Sequence, residues 1–449
     1  VQTCITYMSA LINRFGRLGL LLVFGVGAFL VVYFYFYGVG GYDAPPPTVL
    51  PIEGITAPSS ELRLFDESPL IQKGTLLIDG IHGNDFTKSE LAALISRVND
   101  RGYEVEFMGT VGRFGNFSSL SESPRLTLMT EKLRRADSLA VILPIDDYTP
   151  EEVDLVERFI LRKGGKVLLL ADPTRRHQIN SLAERFGLAF QTDYLYNTTE
   201  YDLNFQNVFI SNFREDEVTK GLEKIALYTA GSIRTPNPGL AFTDGGTHSS
   251  MLEQIEPFYP LVKAAEGRVL ALSDFTFMIP PRNAILDNNK LISNIADYLT
   301  SSQRSFELAD FPGFFKDDVD ILLGNSELFD VGGDLKDGLA AFRINAEVRG
   351  VEDITKDMVY VGLYEDSADV AQYLELAGLG VDDVIRTPFT PDIQREDTAI
   401  IMLNTGPERQ VLVILGDSES ALRDVVVRLS QGSFRDGLVG DFVGVYRTP

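Results

Sequence analysis

Thiol and imidazole side chains are almost missing from this sequence, which has one cysteine and three histidines in 449 residues. A zinc hydrolase gathers three or four such ligands at close spacing, and His82, His177 and His248 do not provide it. With no cysteine after Cys4, the rest of the chain forms no disulfide. A body of about 400 residues can still hold its shape by burying a core. No Gly-Lys is followed by Ser or Thr, so there is no Walker phosphate loop. The turn from Ala171 to His177 has neither glycine nor cysteine, so it is not an elbow that presents a nucleophile. Thr174 and His177 are close in sequence only.

Positive charge is scarce. There are 40 Lys and Arg against 64 Asp and Glu, for a net charge of −24. Such a balance repels nucleic acid and anionic headgroups, and suits solubility or a cationic partner. No basic, aromatic-studded stretch points to nucleic acid.

Long apolar runs are missing as well, with one exception. Between Leu18 and Tyr42 there is no charge, while Arg14 and Arg17 precede the run and Asp43 follows it. Roughly 20 apolar residues cross a bilayer as one helix. The run predicts a single-pass span over 18–42, with residues 1–17 in the cytoplasm by the positive-inside rule. The body then lies outside the plasma membrane, in a periplasm or extracellular space. Tyr33 to Tyr37 place aromatic rings at the outward interface. A cleaved signal peptide would have a shorter apolar region and a small-residue cleavage site, which the run into Tyr and Phe does not offer. Cys4 is a juxtamembrane candidate for lipidation. Pro45, Pro46, Pro47 and Pro51 favour extended backbone, so residues 43–69 read as a stalk. Asn116 and Asn197 match the glycosylation acceptor pattern.

From residue 70 to 302, short apolar strands alternate with helical patterns. Strands are expected at 75–78, 103–108, 139–143, 167–171 and 268–272. Helices are expected from Thr87, after Thr149, through Ile179 to Phe186, and over 290–299. Thr87 with Glu90, and Thr149 with Glu152, have capping-box spacing. Continuous apolar strands alternating with helices predict a doubly wound parallel sheet. Residues 190–266 are polar and read as strands and loops inserted before its last strand. Residues 303–357 read as an irregular connector. Residues 358–449 show strand, helix, two strands, helix and strand, which predicts a ferredoxin-like α+β domain. The expected fold class is therefore α/β: one transmembrane helix, a flavodoxin-like sheet and a ferredoxin-like domain.

Four expected strands end in carboxylates: Asp79, Asp146 with Asp147, Asp172 and Asp274. In a parallel sheet these ends share the edge where open α/β folds bind ligands. Asp79, His82 and Asp85 also share one loop, which makes Asp79, His82, Asp85, Asp146, Asp172 and Asp274 the candidate ligand or cation site. The plainer reading is that Asp ends strands and caps helices by accepting backbone N–H bonds.

Three segments resemble a known domain group: Leu76 to Phe86 with its following helix and Gly102 to Val105; Gly164 to Ala171; and Gly267 to Asp274 with Asn288 and Asn289. This group has a class I glutamine amidotransferase-like fold. It includes membrane-anchored bacterial and archaeal proteins of unassigned activity, the auxiliary subunit of gliding-type ABC transporters, and a domain of intraflagellar-transport proteins. The resemblance covers residues 70–302 and implies a flavodoxin-like sheet. Amidotransferases of the group use a Cys-His-Glu triad, and the missing cysteine means that activity does not carry over. The resemblance implies a binding or scaffolding module with no cofactor, held in the bilayer by residues 18–42 and partnered by other membrane-complex subunits. The alternatives are a solute- or polysaccharide-binding accessory of an exporter, or a metal-dependent hydrolase on Asp79, His82, Asp85 and Asp172.

Overall fold

The computed structural model describes residues 2–38, 61–63, 65–111, 121–253, 257–316, 318–406 and 409–448. The chain divides into two units, Val1–Ser59 and Ser60–Pro449. In the first, α1 (Gln2–Tyr37) carries an apolar stretch, Phe15–Tyr37, of 23 residues, long and apolar enough to cross a membrane. Residues 39–60, most of the expected stalk, lie outside the described residues.

The second unit contains two large sheets. The first begins with β1 (Gly74–Ile78), α2 (Ala92–Asp100), β2 (Tyr103–Phe107), α3 (Glu122–Leu133), β3 (Ser138–Ile142), α4 (Pro150–Leu161) and β4 (Lys166–Leu170). Its parallel strands lie in the order β2-β1-β3-β4 followed by Val269–Leu272, the order of a flavodoxin-like sheet. Alternation decides what each strand buries. Leu76 and Ile78 face a core with Leu94, Val98 and Leu291, whereas Leu77 faces Met129, Val153 and Val156 on the other side. Both faces of the central strands are covered, which is why β1, β3 and β4 are mostly apolar, whereas the edge strand β2 carries Glu104 and Glu106.

The inserted region adds antiparallel strands. Leu261–Ala264, Ala241–Phe242 and Asn212–Phe213 extend the sheet beyond Val269–Leu272. The helix expected from Thr87 starts later, at Ala92: Glu90 Oε2 accepts from Thr87 N at 2.8 Å, but residues 88–91 form turns. The end of the expected stalk belongs to the body, since Glu67 pairs with Arg101 at 2.9 Å and Arg63 with Asp287 at 2.9 Å.

The second sheet corrects two expectations. Residues 303–357 are not an irregular connector: Val319–Leu323, the helix Phe329–Ala341 and Ala346–Arg349 form a parallel strand-helix-strand unit. The expected elements of 358–449 are present as Asp357–Leu363, Ala371–Leu376, Thr398–Thr405, Gln410–Gly416, Glu419–Gln431 and Val443–Arg447. They assemble differently from a ferredoxin-like sheet. Asp357–Leu363 runs parallel to Gln410–Gly416 on one side and to Val319–Leu323 on the other, and Val443–Arg447 sits at the edge beside Thr398–Thr405. The two strands contributed by 319–349 occupy the flank that a ferredoxin-like arrangement would give to its last strand. The result is a six-stranded mixed sheet covered on one face by Phe329–Ala341 and Glu419–Gln431.

Charged contacts join the two sheets. Lys163 Nζ reaches Asp310 at 2.7 Å, Lys316 Nζ reaches Asp137 at 2.7 Å, and Arg304 Nη1 donates to Leu133 O at 2.7 Å.

Candidate functional site

At the C-terminal ends of β1 and β3 the strand order reverses, and this is where open α/β sheets bind ligands. Two loops meet there. The loop after β1 carries Asp79, His82 and Asn84; the loop after β3 leads through Tyr148 and Thr149 into α4. Backbone bonds lock them together, since both Ile145 N and Asp146 N donate to His82 O, at 2.9 and 3.0 Å.

Asp79 and His82 are fully buried. The His82 ring stacks on Tyr148 with centroids 3.8 Å apart, and its Nδ1 lies 3.0 Å from both Asp79 oxygens. Asp79 also accepts from Tyr148 OH at 2.8 Å, Asn84 Nδ2 at 3.2 Å and Ile81 N at 3.2 Å. On the far side of the ring, Nε2 lies 3.5 Å from Glu152 Oε2. Glu152 sits in the first turn of α4, where Thr149 and Glu152 complete the capping box. Arg125, delivered by α3, grips both Glu152 oxygens at 2.6 and 3.2 Å.

These contacts set the charges. Burial pulls the His82 pKa down, but Asp79 and Glu152 outweigh it and raise the imidazole to about 9. Burial pushes Glu152 up, and the bonds from His82 and Arg125 override it to hold the carboxyl at about 2. Asp79 is likewise held below the usual carboxylate range against the effect of burial, chiefly by His82. Burial and the Asp79 charge push the Tyr148 phenol well up. At neutral pH two anions, Asp79 and Glu152, therefore face two cations, His82 and Arg125. A protonated His82 has no lone pair to offer a metal, and the Asp79 oxygens already accept from four groups, His82, Tyr148, Asn84 and Ile81.

The remaining candidates divide. Asp172 and Asp274 are buried at the ends of adjacent strands, with Leu170 and Leu272 in register. Asp172 accepts from Thr174 N at 2.9 Å and Thr276 Oγ1 at 2.7 Å, so Thr174 serves this carboxylate rather than His177. Asp274 accepts from Tyr228 N at 2.6 Å, and burial together with the Asp172 charge pushes its pKa well up. Asp146 is half-exposed, 3.8 Å from Arg125, and Asp85 is half-buried outside the Asp79 network, its backbone N–H bonded to Leu143 O. The six expected residues thus form separate groups rather than one site, and among the described residues no three His, Cys, Asp or Glu are placed to hold a metal ion.

Of the modification candidates, Asn197 is buried, its Oδ1 accepting from Thr199 N and Glu200 N at 2.9 Å, which corrects its reading as an acceptor for a glycan. Asn116 lies outside the described residues, and Cys4 lies on α1 with its side chain outside them. His248 is exposed, whereas His177 is half-buried with an unpartnered Nδ1. Sequence reasoning missed Tyr148, Glu152 and Arg125 as partners of His82. The capping spacing flagged Glu152 only as a helix cap, and α3 was not anticipated.

No family model matches this chain, and no curated protein matches it. Among solved structures, the mmIFT52 N-terminal domain is similar at 16% identity and a TM-score of 0.39, covering 51% of this chain and 98% of that one. The likeness is weak. No family model supports the amidotransferase-like ascription.

Proposed function

We propose that this chain is a single-pass, membrane-anchored scaffold or binding protein without catalysis of its own, with its body outside the cytoplasm as an accessory subunit of a membrane complex. The observation that carries the reading is the filled switch point: His82, Asp79 and Glu152 are buried, charged in balance and bonded to one another and to Arg125. A general acid or base needs a face open to substrate, and here the polar atoms are spent on holding two loops and two helices together. The apolar stretch Phe15–Tyr37 supports anchoring, and the ion pairs between the sheets support a body that acts as one platform. Within this proposal the first sheet is an amidotransferase-like domain that has lost its nucleophile.

Gentle detergent extraction of native membranes, native-size separation and mass spectrometry of co-migrating chains test it. A fixed set of co-migrating membrane subunits is the expected result. Migration alone, or substrate turnover by the purified chain, overturns it. The hydrolase alternative requires Asp79 to leave its donors for a metal, and calorimetric titration with divalent ions decides that point: no heat removes it.

A further inference from the structure

Where α3 and the helix Glu419–Gln431 reach their C-terminal ends, a cavity of about 470 Å³ opens between the two sheets. Three guanidiniums line it, Arg134, Arg135 and Arg435, with Glu131 as the one acidic side chain. That is a local excess of positive charge in a chain of net charge −24.

Arg435 and Arg135 are held without being neutralised. Arg435 spans three neutral acceptors, giving Nε to Ala309 O at 3.0 Å, Nη1 to Gly432 O at 3.0 Å and Nη2 to Phe311 O at 3.1 Å. These bonds fix its fork and leave its charge unmatched. Arg135 lies over the Phe342 ring, 5.1 Å from its centroid. Among the described residues none of the three forms an ion pair within 4.0 Å. Burial, and then the nearby Arg134 charge, lower the Arg435 guanidinium to about 10. Burial lowers Arg134 too, against the pull of Asp310 and Glu131. Helix C-termini attract cations, but a macrodipole supplies only about half a charge per helix.

Beside the arginines the lining includes the apolar residues Leu126, Phe311, Pro312, Phe342 and Leu429. Guanidinium forks match carboxylate and phosphate oxygens two by two, and ligand pockets run from roughly 300 to 1,000 Å³ and favour domain junctions.

We propose that this cavity binds a small organic anion, its phosphate or carboxylate head on Arg134, Arg135 and Arg435 and its apolar body against Phe311 and Phe342. The site is separate from the switch point and independent of the scaffold reading, so either can fail alone.

The test is calorimetric titration of the detergent-solubilised full chain with phenyl phosphate, benzoate, inorganic phosphate and benzamide. Saturable 1:1 binding of phenyl phosphate or benzoate is expected, weakening with salt, and the stronger of the two identifies the preferred head. Inorganic phosphate lacks the apolar body and benzamide lacks the charge, so each binds at least about tenfold more weakly. Arg135→Gln lowers affinity by about tenfold with an unchanged unfolding midpoint, and Arg135→Lys falls between. If Arg135→Gln shifts the midpoint, Arg134→Gln takes its place. The proposal is overturned by no saturable heat up to about 10 mM, by equal binding of benzamide, or by unchanged affinity in a folded arginine variant.

Discussion

The two sheets end their strands with the same residue type and put it to different use. In the first, Asp79 after β1 is buried and belongs to a four-charge network with partners from α3, α4 and a neighbouring loop. In the second, Asp366 follows Asp357–Leu363 and accepts from Leu363 N at 2.9 Å and Asn325 Nδ2 at 3.1 Å, with no ion pair to a cation among the described residues. An aspartate at a strand end is a local cap by default. Beside Asp79 it becomes part of a charge network because distant elements bring Glu152 and Arg125 within reach of the histidine in its own loop, and the two sheets show both outcomes in one chain.

The largest test of that contrast is Arg125→Leu. It leaves Glu152 buried without one of its two counter-ions and should cost about 3–5 kcal/mol of unfolding free energy. Asp366→Asn in the second sheet should cost about 1 kcal/mol or less. Urea unfolding of both variants checks this, and equal losses would break the comparison.

The pH dependence comes next. His82 rises from an ordinary value of 6.5 to about 9 on folding, so its contribution is fully present below pH 6.5 and is lost as pH rises through 9. The loss is at most roughly 3 kcal/mol, because the attractions that raise His82 are the same ones that lower Asp79 and Glu152. On the acid side Glu152 falls from 4.5 to about 2, giving stability present above pH 4.5 and lost as pH falls through 2. The second sheet contains no histidine. Unfolding curves for wild type and His82→Asn across pH 6–10 should differ in slope, and parallel curves would remove the charged imidazole from the account.

A smaller effect sharpens how the sheets are joined. Lys316→Met should cost about 1 kcal/mol, since Lys316 is exposed and Asp137 keeps its bond from Thr75 N at 2.9 Å. A double-mutant cycle with Asp137→Asn measures the coupling, and a coupling of zero would make the pair incidental.

The smallest effects compare strained backbone in each region. Leu203 in the first region has φ of 61° and Arg343 beside the second sheet has φ of 64°. Glycine at either position should gain a few tenths of a kcal/mol, strain relief slightly exceeding the added chain entropy. Thermal unfolding reads both, and a loss at one would mark contacts that the native side chain makes there.

Much of the fold was legible locally. Strand positions in the first sheet fell within a residue or so because burial on both faces requires apolar runs such as Val167 to Leu170. Thr149-Pro150-x-Glu152 fixed the start of α4 because each part of a capping box lies within one turn. The strand-helix-strand unit of 319–349 was hidden because its helix carries Gly332, Gly333 and Gly338, and its edge strand Ala346–Arg349 alternates weakly. The ferredoxin-like order failed for the same reason, since those two strands take the flank it needed. In the candidate site, Asp79 and His82 were visible as neighbours in one loop, while Arg125 lies 43 positions further on in a helix whose pattern is mostly polar.

By itself the sequence determined the apolar N-terminal run, the α/β alternation, most caps and the absence of a cysteine nucleophile in the body. These depend on residues within a few positions of one another. Only the tertiary structure decided that His82 is a buried cation, that Asp172 and Asp274 share one pocket of charge apart from it, and how the second sheet is ordered. Each rests on groups far apart in the chain, and pairing energies across such separations are set by topology, which local periodicity does not encode.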